Sequence, residues 1–326
     1  MDNVNDFFAT LSSCLWGWPM IILLLGTHIF LTIRLRFPQR KLFTAIRLSV
    51  QRDKSLKGDV SQFGALATAL AATIGTGNII GVATAVALGG PGAVFWCWLT
   101  GVFGISTKYS EALLAIKYRV KSKRGTMQGG PMYTLERGLG WRKMGILFAL
   151  FTAIAAFGIG CTVQANAIST IMHASYGRST EVSGGVLMLL AAAVIIGGVR
   201  SISKVCSMLV PFMALLYVLG CIYILCVNAS YVAPALNLIV CSAFSPDAAG
   251  GGFAGASVIM AARYGIARGL FSNESGLGSA PIVAAAARTK NPVRQALVSS
   301  TGTFLGYRGD MRAYRSCNRK QHHCLS

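Results

Sequence analysis

The amino-acid sequence predicts an all-α integral membrane protein, and three observations support this fold class. Of the 326 residues, 54% are hydrophobic and only 12% are charged, whereas charged residues make up about 25% of a typical globular chain. Apolar runs long enough to cross a bilayer recur along the chain. Two of these runs are interrupted by glycine and polar residues. The composition therefore argues against a water-soluble enzyme.

Seven apolar runs are candidate spanning helices, because each approaches the roughly 20 residues that a helix needs to cross the hydrocarbon core. We interpret the first as an extra transmembrane helix, the next five as one five-helix block over residues 60–227, and the seventh as part of a second block, 252–305. The runs are approximately residues 14–33, 60–88, 92–116, 144–172, 183–199, 205–227 and 252–287.

The positive charges indicate how these spans are oriented. More than half of the 30 Lys and Arg residues lie in two connections, 34–59 and 117–143, whereas 228–251 contains none. By the positive-inside rule, 34–59 is a basic cytoplasmic loop, 1–13 an extracytoplasmic N-terminus and 228–251 an external loop. The net charge of +20 is then a consequence of topology, and we expect no nucleic-acid partner.

Two spans carry small and polar residues at membrane depth, at 73–81 and at 271–281. Glycine costs roughly 1 kcal/mol relative to alanine inside a helix. Unpaired backbone within a membrane is tolerated only where it lines a cavity or is buried in protein. Both ranges are therefore predicted to be broken helices.

The two broken helices occupy equivalent places, since each opens a block of spans and the charge rule gives them opposite orientations. This arrangement is the mark of an inverted-topology repeat, in which discontinuous helices meet near the midplane and form the binding site. We expect the second repeat to be incomplete in this chain. After residue 305 the sequence becomes basic and polar, and we expect 306–326 to be a tail that does not cross the membrane.

A discontinuous helix offers unpaired N–H groups and unpaired carbonyls at its break, and an amino acid zwitterion matches this polarity. We expect its carboxylate at the half-helix that begins near Gly77 and Asn78. Its ammonium group, or a co-transported cation, is expected at the carbonyls of Ala72 and Gly75. The alternative is that the glycines only permit close helix packing. The neighbouring polar side chains, including Thr76, favour a binding site.

Polar residues on other spans have two interpretations each. Gln164 and Asn166 lie two residues apart and cannot share one helical face, so we expect one to line a cavity, with Gln164 favoured, and the other to be structural. Glu274 either neutralises a cation or proton, or accepts N–H bonds at the broken turn. Lys108 and Glu111 are expected to pair and to snorkel toward the cytoplasmic surface.

The chemistry of an enzyme has no support in the sequence. His28 and His173 stand alone, and neither a G-x-S-x-G nor an H-E-x-x-H motif occurs. We expect no cofactor, and no metal other than a transported cation.

Five separated motifs occur in a characteristic order: GTGNI at 75–79, ALGGPGAVFW at 87–96, GGPMY at 129–133, VQAN at 163–166 and FSNESGLGSAP at 271–281. In these motifs the chain resembles the alanine or glycine:cation symporter family over about residues 10 to 304. The resemblance implies a bacterial or archaeal inner-membrane carrier that takes up alanine or glycine with sodium. It also implies the inverted-repeat carrier fold of amino acid–polyamine–organocation transporters, preceded by one extra helix.

Family substrate contacts come from the first, third and sixth core helices. Together with Thr76, the predicted substrate-binding residues are Gly75, Gly77, Asn78, Gln164, Ser272, Asn273 and Gly276. The implied partners are alanine or glycine, sodium and the lipid bilayer, with no oligomeric state indicated. A family member would continue past residue 304 with further apolar spans, so the alternative expectation is a truncated, transport-incompetent fragment of such a carrier.

Overall fold

A computed structural model describes residues 6–7, 10–11, 14–51, 58–123, 125–244 and 258–307, and this part of the chain is mainly α-helical. The helices are α1 Trp18–Arg34, α2 Leu42–Val50, α3 Gln62–Thr73, α4 Thr76–Gly89, α5 Gly92–Lys117, α6 Pro131–Gly138, α7 Arg142–Ala155, α8 Val163–Tyr176, α9 Thr180–Ile195, α10 Gly198–Val227, α11 Ala229–Phe244, α12 Val258–Asn273, α13 Ala280–Ala285 and α14 Pro292–Tyr307.

Short irregular elements join these helices. A 3-10 turn, Pro38–Lys41, precedes α2, and a π-helical stretch, Ala156–Thr162, separates α7 from α8. Strands β1 Val120–Lys121 and β2 Met127–Gln128 form a small antiparallel hairpin after α5. The all-α prediction is therefore confirmed.

The centre of the bundle is α5, the long helix that packs against α1, α11, α12, α13 and α14. Its small residues make this possible. A Cβ on Gly265 of α12 would overlap the carbonyl oxygen of Ala93, and one on Gly269 would overlap the hydroxyl of Thr100. Glycine at these positions lets α12 approach the backbone of α5, as small residues do between membrane helices. This contact places the second broken helix against α5.

Three helical segments of the described part are long and apolar enough to cross a membrane: Gln62–Gly89, Arg142–Tyr176 and Gly198–Val227. A fourth is added if Trp18–Arg34 and Pro38–Val50, bent by 66°, count as one span. Several apolar helices thus define a multi-pass membrane protein. The seven-span arrangement and its orientation remain a prediction, because α9 and α11 are shorter apolar helices and α5 contains charged residues.

Both predicted loops contain helix. In the 228–251 connection the structure forms α11, whose end lies on the start of α5: Trp96 Nε1 donates a hydrogen bond to the carbonyl oxygen of Ala243 at 3.4 Å. Phe95 and Phe244 also stack edge to face at 5.0 Å between ring centroids. In 34–59 the structure forms α2, with Ala45 and Ser49 buried. The distribution of Lys and Arg indicates which segments lie outside the membrane spans, but it does not indicate whether they are helical. These two segments also carry apolar residues at helical spacing, and they form helices.

A largely buried helix, α14, follows the seventh apolar run, which ends near residue 287. It packs against α3 and α5, and its Ser300 and Thr301 hydroxyls donate to carbonyls of the preceding turn at 2.7 Å. Because these hydroxyls are satisfied within the helix, a sequence of modest hydropathy can be buried in protein. The predicted tail, 306–326, lies outside the described residues from position 308 onward.

A backbone contact between two distant segments closes one end of the bundle. Val60 and Ala287 form a parallel bridge, in which the Arg288 N–H donates to the Val60 carbonyl at 2.7 Å. We call residues 58–60 and 285–289, together with Arg119, the 60/287 latch. Gly58 has φ +136°, and a Cβ there would lie 2.5 Å from the Ala287 carbonyl oxygen, so the latch requires glycine at this position.

The Arg119 guanidinium holds the second side of the latch. It donates to the carbonyls of Ala285, Ala287 and Thr289 at 2.9, 2.8 and 2.6 Å. Burial lowers the pKa of Arg119, and the nearby Asp59 carboxylate opposes that shift. Asp59 itself accepts a hydrogen bond from the Met127 N–H at 2.7 Å, so the latch also holds the hairpin.

Candidate functional site

The first helix break lies between α3 and α4, within the predicted range 73–81. Gly75 is the N-cap of α4 and has an extended backbone, φ −145° and ψ −167°. An extended residue cannot continue the helical hydrogen-bond ladder. The Ile74 N–H still bonds back to the Leu70 carbonyl at 2.7 Å, and the Asn78 N–H bonds to the Gly75 carbonyl at 3.2 Å. The helical ladder is therefore interrupted between Ile74 and Gly75.

Gln164 faces this break from another span. A Cβ placed on Gly75 would lie 3.3 Å from Gln164 Nε2 and 3.5 Å from its Oε1. The π-helical stretch Ala156–Thr162 immediately precedes α8, and single π-helical turns often occur at functional sites. Asn166 is exposed. Of the two amides, Gln164 is thus the one that the structure turns toward the broken helix.

The second helix break separates α12 from α13, within the predicted range 271–281. Three of its residues have positive φ: Glu274 at 48°, Gly276 at 89° and Gly278 at 80°. Left-handed conformations are strained for residues with a side chain. Glu274 accepts a hydrogen bond from the Ser279 hydroxyl at 3.1 Å. The structure therefore places Glu274 in the turn itself, with a hydrogen-bonded carboxylate.

The two breaks meet through side chains. The Ser272 hydroxyl in the last turn of α12 donates to the Asn78 amide oxygen in the first turn of α4. Asn78 is 5% exposed and Ser272 is 8% exposed. Buried polar groups without a partner cost free energy, so this bond couples the position of one half-helix to the other. Residues predicted from two separate motifs are thus brought together.

The other predicted residues lie in four different surroundings. Asn273 is buried beside Ser272. Gly276 lies away from the first break, since a Cβ there would contact Leu24 and His28 of α1. Ala72 is exposed on α3. Thr76 and Gly77 begin α4, but their side-chain surroundings lie outside the described part of the structure.

Lys108 and Glu111 are the functional candidates that the sequence interpretation missed. Snorkelling is wrong for Lys108: its side chain is 2% exposed, and its ammonium donates to the Asn273 carbonyl at 2.8 Å. The reason is that this face of α5 points at α12 and not toward the membrane surface. The signal in the sequence that points to a functional role is the presence of two charged residues, Lys108 and Glu111, within a membrane span.

A helical membrane protein with two broken helices whose ends meet at buried polar side chains belongs to the class of membrane transporters. Comparison with known proteins narrows this class. Residues 1–306 match the sodium:alanine symporter family. The chain belongs to this family, which confirms the resemblance: it is an amino acid symporter family of membrane proteins and not a family of enzymes.

Several relatives are similar over most of the chain. The sodium/alanine symporter AgcS of Methanococcus maripaludis is 53% identical over 312 residues, which cover 94% of this chain and 68% of the relative. An uncharacterized transporter of Haemophilus influenzae is 53% identical over 305 residues, with coverage of 93% and 67%. The putative sodium/proton-dependent alanine carrier protein YrbD of Bacillus subtilis is 41% identical, with coverage of 92% and 61%. The chain thus spans about two thirds of the length of these relatives.

Proposed function

We propose that this chain carries the substrate-recognition region of a sodium-coupled carrier that takes up alanine or glycine across a bacterial inner membrane. The observation that carries the proposal is the contact between the two helix breaks through Ser272 and Asn78. Paired discontinuous helices are where inverted-repeat carriers bind substrate. Family membership and the name of the archaeal relative support the same substrate class.

The proposed substrate position follows from the polarity of the first break. The half-helix that begins at Thr76 presents N–H groups and the positive end of its dipole, which favour a carboxylate. Gly75, Thr76, Gly77 and Asn78 supply this end. The Gln164 amide lies across from Gly75 and offers both a donor and an acceptor. A zwitterion can thus be bound without a permanent charge in the first break.

The proposed substrate is small because the first break is narrow. A single Cβ on Gly75 would lie within 3.3 Å of the Gln164 amide, so these two groups are close enough to contact the same small ligand. Alanine and glycine differ by that one methyl group, which is worth about 1–3 kcal/mol in a pocket. We therefore propose both as substrates of one site.

The proposed co-substrate is sodium, bound near the carbonyls of Ala72 and Gly75. A bound cation would be driven inward by the membrane potential, worth about 2.3 kcal/mol per charge per 100 mV. The family description supports sodium. YrbD is described as sodium/proton-dependent, so the test below includes a proton-coupled outcome.

Equilibrium binding of radiolabelled alanine to the purified chain in lipid nanodiscs tests the proposal. We expect binding in sodium chloride that is lost in choline chloride, and competition by unlabelled glycine but not by leucine. Gln164→Ala should weaken binding, and Asn166→Ala is the matched control because that amide is exposed on the same helix. If alanine binding depends on pH but not on sodium, the coupling ion is a proton and not sodium. If leucine binds as tightly as alanine, the proposed substrate class is wrong.

A further inference from the structure

A buried charged pair lies against the second helix break. Lys108 is the largest of the side chains that are almost fully buried in the described residues. Its ammonium donates to the carbonyl of Asn273, the last residue of α12, at 2.8 Å. The last carbonyls of a helix have no partner within the helix, and a cation is favoured there by the dipole. Lys108 therefore binds the carbonyl end of the break.

Glu111 lies one turn further along α5, at the opposite end of the same break. Its carboxylate lies beside the backbone N–H groups of Gly276 and Gly278, which precede α13, and its buried Oε2 has no hydrogen-bond partner among the described residues. It also interacts electrostatically with Lys108 and Glu274. One helix thus delivers a cation to the carbonyls and an anion to the amides of a single interrupted helix.

The side of Lys108 that faces α3 and α13 offers few polar groups that could stabilise its charge. A small cavity there is lined by Lys108, by the alanines of α3, α5 and α13, by Pro281 and by Ser299. Apart from Lys108, Ser299 contributes the only polar side chain in this lining. A buried charge is stable only when it is paired and hydrogen-bonded, so the Lys108 charge depends on the break and on the two glutamates.

We propose that Lys108 and Glu111 are positioning residues that hold the two ends of the second helix break in place. The Lys108 ammonium binds the carbonyl end, and the Glu111 carboxylate lies at the N–H end. The second break is then held in a fixed shape by α5.

The consequence for substrate binding rests on the proposed function. Ser272 precedes Asn273 in the last turn of α12, and its hydroxyl is bonded to Asn78. When Lys108 fixes the Asn273 carbonyl, it also fixes the position from which Ser272 reaches Asn78. Loss of the Lys108 and Glu111 charges should therefore loosen the second break and weaken alanine binding at the first.

The experiment measures the second break directly. Ser275 is fully buried inside the break, and Ser275→Cys introduces a thiol of similar size there. In nanodiscs, its reaction with a small methanethiosulfonate reagent is followed by peptide mass spectrometry, which separates it from the native cysteines. We expect slow labelling in the otherwise unchanged chain. Lys108→Met should accelerate labelling about tenfold or more, since hydrogen bonds to charged groups are among the stronger ones.

Controls separate a positioning role from general stability. Lys117→Met removes an exposed charge from the end of the same helix and should leave labelling unchanged, whereas Lys108→Arg should largely retain protection. The double variant Lys108→Met and Glu111→Met removes both buried charges, so its melting temperature should recover relative to Lys108→Met. Its labelling should remain fast, because the break has lost both partners.

Two results would overturn the proposal. One is labelling of Ser275→Cys in the double variant that is as slow as in the otherwise unchanged chain. The other is labelling that is fast in Lys108→Met and becomes slow again in the double variant as its melting temperature recovers. The double variant keeps the test decisive if Lys108→Met fails to fold. Alanine affinity, measured on the same preparations, should fall about tenfold or more in the double variant. If the unchanged chain binds no alanine, the proposed function fails. The labelling result still decides whether Lys108 and Glu111 hold the second break in place.

Discussion

The hydroxyl of Ser272 donates a hydrogen bond to the amide oxygen of Asn78 across a sequence separation of 194 residues. Each residue belongs to a different broken helix, so this bond is the point at which the two interrupted helices contact each other through polar side chains. Since both residues are buried, changes at either one are expected to affect the geometry of both breaks.

Ser272→Ala should reduce alanine affinity about tenfold or more, because it removes the hydroxyl that bonds to the buried Asn78 amide oxygen, a loss of about 1–3 kcal/mol. Equilibrium binding in nanodiscs measures the effect. Ser300→Ala is the matched control: this serine is also buried, but its hydroxyl bonds within its own helix, to Leu297. Equal losses in both variants would contradict a specific role for Ser272.

Gly75→Ala should weaken alanine binding, because the added methyl group would lie 3.3 Å from the Gln164 amide and would occupy the space assigned to the substrate. We expect a loss of about 1–3 kcal/mol in binding free energy. Gly81→Ala is the control on the same helix, since the nearest atom to its methyl group would be 3.9 Å away. If Gly81→Ala weakens alanine binding and Gly75→Ala does not, the substrate site does not lie at the first break.

Gly58→Ala should destabilise the folded chain by about 1–3 kcal/mol, because φ is +136° and the new methyl group would lie 2.5 Å from the Ala287 carbonyl oxygen. The melting temperature in detergent should fall. Gly26→Ala provides the comparison, since a methyl group there meets nothing within 4 Å. If Gly58→Ala melts no lower than Gly26→Ala, the latch does not contribute to stability.

The orientation predicted from the positive charges can be tested at two exposed positions, Lys123 and Ser230. A membrane-impermeant maleimide applied to intact cells should label Ser230→Cys and should leave Lys123→Cys unlabelled until the membrane is permeabilised. The native cysteines are distinguished by peptide mapping. Labelling of Lys123→Cys in intact cells would reverse the topology and remove the basis for an inverted repeat.

Local signals in the sequence were sufficient to predict where the helices are interrupted. Glycine and polar residues at membrane depth are costly in a continuous helix, and the structure places breaks at Gly75 and at Glu274. These inferences depend only on residues near one another in the chain, or on the order of family motifs.

The missed features depend on packing between distant segments. Lys108 was assigned to the membrane surface because a long side chain can reach it, but the close approach of α12 to α5 encloses the ammonium and supplies the Asn273 carbonyl. Burial of α14 likewise depends on neighbours that accept a helix of modest hydropathy. A single sequence does not reveal which face of a span meets another span.

The 60/287 latch also ties together two helices that each adjoin a break, since α3 ends at the first break and α13 begins after the second. It joins the start of α3 to the end of α13 by backbone hydrogen bonds, and Arg119 adds three more to carbonyls. Side-chain rotation alone cannot separate backbone bonds, so whole helices must move to part them. For a carrier with the proposed function and the predicted orientation, we therefore expect release of substrate into the cell to require separation of α3 from α13.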